Sequence, residues 1–253
     1  MRIAVAGGTG VVGRHTVRAA ESAGHDVTVL SRRRGVDVLD EAALAAALQD
    51  IDVVIDTLNV TTTRRGPAEE FFTGTSRRLG AAAAASGVSH LVTLSILGID
   101  AASGYGYYQA KLAQERVVTS GSVPATILRA AQFHEFLAQV LSITRKGPIA
   151  LMPRMRSQPV AARTVGEHLV RAAEARPGGI VGLAGPGVHE MPDLARRLLG
   201  WRRVRAVVVA VPIPGSGGRA IRRGALLATP DTTIDGPTFD EWLAGEDAAA
   251  VPF

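Results

Sequence analysis

The stretch Gly7-Gly8-Thr9-Gly10-Val11-Val12-Gly13 constrains this chain more than any other, because of what stands on either side of it. Before it, Arg2-Ile3-Ala4-Val5-Ala6 is a short apolar run of the kind that forms a buried strand, and residues 11–22 after it carry a helical pattern. A strand that turns through glycines directly into a helix opens a βαβ unit. The glycines satisfy both a Gly-x-x-Gly-x-x-Gly and a Gly-x-Gly-x-x-Gly spacing. Glycine permits backbone angles closed to other residues and lets the main chain approach a pyrophosphate, whose charge is favoured at a helix N-terminus. The last of them, Gly13, lets the helix pack closely on the strand. Gly7, Thr9, Gly10, Val11, Val12 and Gly13 are therefore expected to hold a dinucleotide.

The first half of the chain repeats this alternation. Strands are predicted at residues 2–6, 26–30, 52–57, 90–94 and 125–128, with a short extra one near 36–39, and helices at 11–22, 41–48, 68–86 and 107–119. Right-handed crossovers place such helices on both faces of a parallel sheet and leave a ligand crevice at the carboxyl ends of the strands. After Arg129 the pattern loosens into shorter elements punctuated by Gly and Pro, with further strands for the sheet expected near 180–183 and 206–211. The expectation is an α/β, doubly wound Rossmann fold. Its 253 residues would form one domain, with a cofactor core mainly in 1–130 and a small substrate lobe built from parts of 131–253.

Composition narrows the function classes. With 47% hydrophobic and 20% charged residues, the chain falls among soluble globular proteins rather than disordered or fibrous ones. It has no cysteine, which excludes disulfides, thiolate catalysis and cysteine-bound metals. The six histidines show no metal-ligand spacing, so no metal is expected. The net charge of +5 comes almost entirely from scattered arginine, since only Lys111 and Lys146 are lysines. No nucleic-acid-binding motif accompanies that charge, and no apolar run approaches membrane-spanning length. The expected partner is a small-molecule substrate, with neither nucleic acid nor membrane, for a cytoplasmic monomer or homodimer.

The end of the second strand discriminates between nicotinamide cofactors, because an acidic residue there binds the adenosine ribose hydroxyls. Here residues 27–30 run into Ser31-Arg32-Arg33-Arg34, and Asp26 lies at the strand's other end. A guanidinium pairs with phosphate oxygens in a bidentate fork. Arg32, helped by Ser31 and Arg33, is thus expected to bind a 2′-phosphate, which favours NADP(H); a solvated basic loop is the competing reading.

Tyr107 and Lys111 stand four apart, on one face of the helix that begins there. A phenol with an ordinary pKa near 10 is a poor acid at neutral pH, and a nearby ammonium lowers that value. Twelve residues before Tyr107, Ser95 ends a strand at the same edge of the sheet, where its hydroxyl either bonds a substrate carbonyl or serves as a turn or cap.

These features resemble the short-chain dehydrogenase/reductase superfamily, and more narrowly its atypical NmrA-like branch. The likeness is carried by residues 7–13, Asp56-Thr57-Leu58-Asn59, residues 94–100, residues 107–115 and residues 124–136. It implies that Tyr107 exchanges a proton with the substrate oxygen, that Lys111 holds the nicotinamide ribose and tunes Tyr107, and that Ser95 orients the carbonyl. It also implies that Leu58, Asn59 and Val60 lie along the adenosine ribose and that residues 129–133 pass near the nicotinamide. Hydride transfer between NADP(H) and a carbonyl or quinone-like molecule follows. Several members of that branch bind the nucleotide without chemistry and act as redox-sensing regulators, and a non-catalytic NADP(H) sensor is the alternative. His134 and Glu135 could line the substrate pocket, as could Met152, Met155 and Trp201, though core placement explains them equally well.

Overall fold

The structure is a computed structural model that describes residues 1–62 and 64–251. Its strands are β1 (Arg2–Ala6), β2 (Asp26–Leu30), β3 (Val53–Asp56), β4 (His90–Ile96), β5 (Ala125–Ala130), β6 (Ile149–Pro153), β7 (Arg156–Ser157), β8 (Gly179–Ala184), β9 (His189–Glu190), β10 (Val207–Val211) and β11 (Thr232–Ile234). Its helices are α1 (Gly13–Ser22), α2 (Glu41–Ala47), α3 (Arg65–Ala85), α4 (Gly106–Thr119), α5 (Phe136–Thr144), α6 (Ala162–Ala175), α7 (Met191–Trp201), α8 (Gly215–Arg222), α9 (Phe239–Ala244) and α10 (Glu246–Ala250).

Seven strands form the main sheet in the order β11-β8-β5-β4-β3-β1-β2, a doubly wound α/β arrangement. The chain passes from β1 outward to β2, then returns to β3 on the other side of β1, so the winding reverses between β1 and β3. In open parallel sheets the crevice at such a reversal is where ligands bind. Register decides what reaches it. Ala6 pairs with both Leu30 and Asp56, and Asp56 with Thr93. The residues that follow these positions, Gly7, Ser31, Thr57 to Asn59 and Ser95, therefore emerge at one edge of the sheet.

Two compact units divide the chain. The first comprises residues 1–96, 106–129 and 163–181. Ile3, Val5, Val53, Val54 and Ile55 are fully buried there, as expected of parallel strands covered on both faces. Leu30, Leu44, Leu48, Leu79 and Leu91 pack with Val54 into its core, and α3 and α4 lie along each other.

The second unit comprises residues 97–105, 130–162 and 182–253, of which 252 and 253 lie outside the described residues. It contains β11 paired with residues 182–184 of β8, the parallel pair β6–β10 and the antiparallel pair β7–β9. Ala150 and Met152 are fully buried, while Ile149 and Leu151, which alternate with them, are exposed beside Val207 and Val209 of β10.

Two expectations are corrected. Residues 36–39 form no strand: the Asp37 side chain accepts the Leu39 N–H at 3.0 Å, and the Asp37 carbonyl accepts the Asp40 N–H at 3.0 Å. This tight turn delivers Asp40 as the N-cap of α2, where it accepts the Ala43 N–H at 3.0 Å. The segment near 206–211 is a strand, but it pairs with β6 instead of joining the main sheet.

Candidate functional site

The glycine turn is built by close backbone approach. Gly7 has φ +77°, donates its N–H to the Leu30 carbonyl at 3.0 Å and accepts the Gly10 N–H at 2.8 Å. A Cβ on Gly13 would lie 2.1 Å from the Gly7 carbonyl oxygen, so no other residue fits there. The carbonyl of Gly7 thus folds back onto the first residue of α1. That helix has no side-chain cap at its N-terminus, where the Arg14 and His15 N–H groups bond the Gly10 and Val12 carbonyls and an anion is favoured by the helix dipole. Thr9 and Gly10 are exposed, Val11 is part-buried, and Val12 and Gly13 are buried.

At the end of β2, Ser31 is extended and its carbonyl accepts the Arg34 N–H at 2.9 Å, closing a 3₁₀ turn over Arg32–Arg34. All three arginines are exposed. The Ser31 hydroxyl oxygen is buried and has no hydrogen-bond partner among the described residues. A buried orphan oxygen beside a basic turn, a glycine cradle that a Cβ would fill, and an uncapped helix start together fit a phosphate-bearing dinucleotide.

The tyrosine and lysine meet on one aromatic ring. The Tyr107 ring packs edge-on against Phe72 at 5.6 Å between centroids, and Lys111 Nζ lies 4.5 Å from the centre of the same Phe72 ring. Tyr107 is part-buried and donates its O–H to Asn59 Oδ1 at 2.6 Å. Lys111 is only 4% exposed. Its ammonium donates to the Leu94 carbonyl at 2.8 Å and to Gln114 Oε1. Burial pushes the Lys111 pKa down to about 8, against the opposing pull of Asp56 and Glu115. Asp56 is raised above the ordinary carboxylate range, chiefly by burial, while the Leu58 N–H, Lys111, Gln114 and Ser76 act the other way.

Ser95 is 2% exposed, and its hydroxyl donates to Glu115 Oε1 at 2.5 Å. Arg129 completes this buried group, donating from Nε to Glu115 Oε1 at 2.9 Å and from a terminal nitrogen to Oε2 at 2.5 Å. Sequence reasoning assigned no role to Gln114 or Glu115. A signal existed: Lys111, Gln114 and Glu115 are spaced i, i+3 and i+4 and share the buried face of α4, where polar residues need partners.

His134 and Glu135 are core residues of the second unit. Both are 1% exposed; the His134 ring packs against Phe239 and Trp242, and the Glu135 carboxylate accepts the Ala162 N–H and Trp242 Nε1–H at 3.1 and 3.2 Å. Met152 and Met155 are buried and Trp201 is 41% exposed. A groove of about 380 Å³ lies between the C-terminal parts of α3 and α4, lined by Gly80, Leu91, Val117 and Gly121, and contains none of the predicted site residues. No helix among the described residues is long and apolar enough to cross a membrane.

Residues 34–176 match a family described as NAD(P)H-binding, which is more than half of the chain. The chain belongs to this NAD(P)H-binding family. Membership agrees with the short-chain dehydrogenase/reductase resemblance, and the family match spans the Tyr107–Lys111 pair. A curated relative, the (4-alkanoyl-5-oxo-2,5-dihydrofuran-3-yl)methyl phosphate reductase of Streptomyces griseus subsp. griseus, is 34% identical over 145 residues, or 52% of this chain and 48% of the relative. The chain thus spans about half the length of that relative. Among solved structures, an NADPH-dependent quinone oxidoreductase of Escherichia coli in complex with NADPH superposes with TM-score 0.72 at 16% identity, covering 96% of this chain and 98% of that one. A short-chain dehydrogenase/reductase superfamily protein of Agrobacterium tumefaciens with bound NAD superposes with TM-score 0.69 at 20% identity, covering 99% and 97%. Both share the NAD(P)H-binding family's fold.

Proposed function

We propose that this NAD(P)H-binding protein is an NADP(H)-dependent oxidoreductase of the NmrA-like branch, acting on a carbonyl or quinone-like small molecule. The observation that carries the reading is that the buried Lys111 ammonium and the Tyr107 ring both contact the Phe72 ring. A positive charge held out of water near a phenol favours the phenolate and so suits the phenol to proton transfer. The reductase relative and the quinone oxidoreductase neighbour support the reaction class.

In this reading the glycine turn and α1 hold the pyrophosphate, Ser31, Arg32 and Arg33 receive the 2′-phosphate, and Leu58 and Asn59 lie along the adenosine. When bound, the reduced nicotinamide supplies the hydride to the substrate carbon. Tyr107 gives its phenolic proton to the carbonyl oxygen, so C=O becomes CH–OH and the tyrosine is left as a phenolate beside Lys111. To do so it releases Asn59 Oδ1, which accepts its proton in the structure. Lys111 steadies the phenolate and the ribose. We assign Ser95 a bracing role at the site, since its hydroxyl proton is given to Glu115.

Titration of the protein with NADPH and NADH, followed by NADPH consumption over quinones, ketones and aldehydes, tests the reading. NADPH binding tighter than NADH, with turnover that Tyr107→Phe lowers by about 10²-fold or more, is the expected result. Tight NADPH binding without turnover on any substrate would favour the non-catalytic sensor instead.

A further inference from the structure

Among the described residues Lys111 makes no direct contact with a carboxylate, although that of Asp56 is buried close by. The amide of Gln114 stands between them: its Oε1 accepts from the Lys111 ammonium, and its Nε2 donates to Asp56 Oδ2 at 3.2 Å and to Ser76 Oγ at 3.1 Å. Only this orientation of the amide satisfies both neighbours, because an ammonium has no acceptor and a carboxylate no donor. Gln114 is 1% exposed and Asp56 4% exposed. The other carboxylate oxygen of Asp56 accepts the Leu58 N–H at 2.9 Å and so shapes the turn that leads to Asn59. One carboxylate therefore ties together the segment bonded to Tyr107 and, through Gln114, the lysine.

Burying a cation, an amide and an anion costs folding energy unless each is satisfied, and apolar side chains of similar size would often serve stability as well. The arrangement spans three elements, the end of β3, α3 and α4, whose Asp56, Ser76 and Lys111 all meet the Gln114 amide. We propose that Gln114 and Asp56 are positioning residues of the Tyr107–Lys111 site: Gln114 fixes the ammonium at its place over Phe72, and Asp56, acting through Gln114, keeps it charged. This rests on the oxidoreductase reading above for its consequence, a proton-donating Tyr107, but not for its structural content. The charged and titratable groups around Lys111 are Asp56 from β3, Tyr107 and Glu115 from its own helix, and Arg129 from β5, which is bound to Glu115. Glu115 is thus shared with an arginine, whereas Asp56 has Lys111 as the cation acting on it.

The chain has only two lysines, which makes the test direct. Full-length protein labelled with ¹³C and ¹⁵N in lysine gives two side-chain signals, and the exposed Lys146 serves as an internal reference. Wild-type Lys111 is expected to titrate near pH 8. Removing the Asp56 charge with Asp56→Asn, or the acceptor with Gln114→Met, disfavours the ammonium and is expected to lower that titration by about one unit, with Lys146 unmoved. The alkaline limb of kcat/KM for NADPH-dependent reduction should move toward neutral pH by the same interval. A Lys111 titration unchanged in whichever of the two variants folds would overturn the proposal, however robust the turnover. The NMR arm needs no substrate, so missing turnover would count against the oxidoreductase reading alone.

Discussion

Tyr107 donates its phenolic proton to Asn59 Oδ1 across 2.6 Å, joining the start of α4 to the segment that follows β3. In the sheet order this segment borders the reversal between β1 and β3, where the glycine turn also lies. In the mechanism proposed above, a substrate oxygen has to replace this amide oxygen to receive the Tyr107 proton. Tyr107→Phe removes the proton and keeps the ring against Phe72. It should lower kcat by about 10²–10⁴-fold, the usual worth of a general acid, while leaving NADPH affinity within about threefold. Stopped-flow or steady-state reduction alongside fluorescence titration of NADPH measures both; equal activity of the two proteins would remove Tyr107 from the mechanism.

Arg32 follows the buried Ser31 hydroxyl, is exposed, and makes no ion pair among the described residues. Its substitution therefore reads cofactor recognition with little cost to folding. Arg32→Ala should weaken NADPH by about tenfold, roughly the 1.4 kcal/mol expected of a charge-assisted contact with phosphate, and leave NADH nearly unchanged. Calorimetric titration with both nucleotides decides it, and equal weakening of the two would assign the turn to something other than the 2′-phosphate.

The Glu115–Arg129 pair has side-chain exposures of 7% and 13%, so its charges are largely out of water. Arg129→Met would leave Glu115 buried with the Ser95 hydroxyl as its one hydrogen-bond partner among the contacts described above and the Lys111 ammonium as the remaining cation acting on it. A loss of about 3–5 kcal/mol of unfolding free energy is expected from stranding such a charge. Ser95→Ala removes one hydrogen bond from the same carboxylate and should cost about 1.5–3 kcal/mol. Urea denaturation of both variants checks the order. If Ser95→Ala keeps full stability but loses activity, Ser95 acts on substrate and not as a brace.

Much of this was legible in the chain, for identifiable reasons. The boundaries of β1 and β2 match the expected residues: β1 is buried from Ile3 to Ala6 and reads as an unbroken apolar run, whereas β2, a part-buried edge strand, is marked by its β-branched Val27, Thr28 and Val29. The glycine turn was legible because Gly13 has no room for a side chain. Residues 36–39 carry a strand-like apolar pattern, yet Asp37 and Asp40 compete for the backbone and turn it, with Val38 still buried. Strands of two or three residues, β7, β9 and β11, exist only because a partner tens of residues away supplies the hydrogen bonds, which no local pattern records. The bridging amide of Gln114 was hidden for the same reason: its meaning depends on Asp56, 58 residues earlier.

His134 makes the second unit acid-sensitive. Its Nε2 faces the Pro237 carbonyl at 3.4 Å, and since a carbonyl only accepts, Nε2 carries the hydrogen of the neutral ring. Nδ1 is buried with no hydrogen-bond partner among the described residues, and the ring packs against Phe239 and Trp242. Protonation would create a second buried donor and a charge, and desolvation pushes the His134 pKa down to about 4, with His189 adding to the shift and the Pro237 carbonyl opposing it. A folded-state pKa below the unfolded value means that the unfolded chain takes up a proton as pH falls through 6.5 while the native protein does not until near 4. Stability from this group is thus full above pH 6.5 and declines toward pH 4, by on the order of 3 kcal/mol. Glu135, raised by burial, titrates with the opposite sign, so the comparison must be between variants. His134→Phe keeps an aromatic ring beside Phe239 and Trp242, and its unfolding free energy should fall less than that of wild type between pH 7 and pH 4.5. Parallel pH dependences in urea denaturation would mean that His134 is not the group that takes up the proton on unfolding.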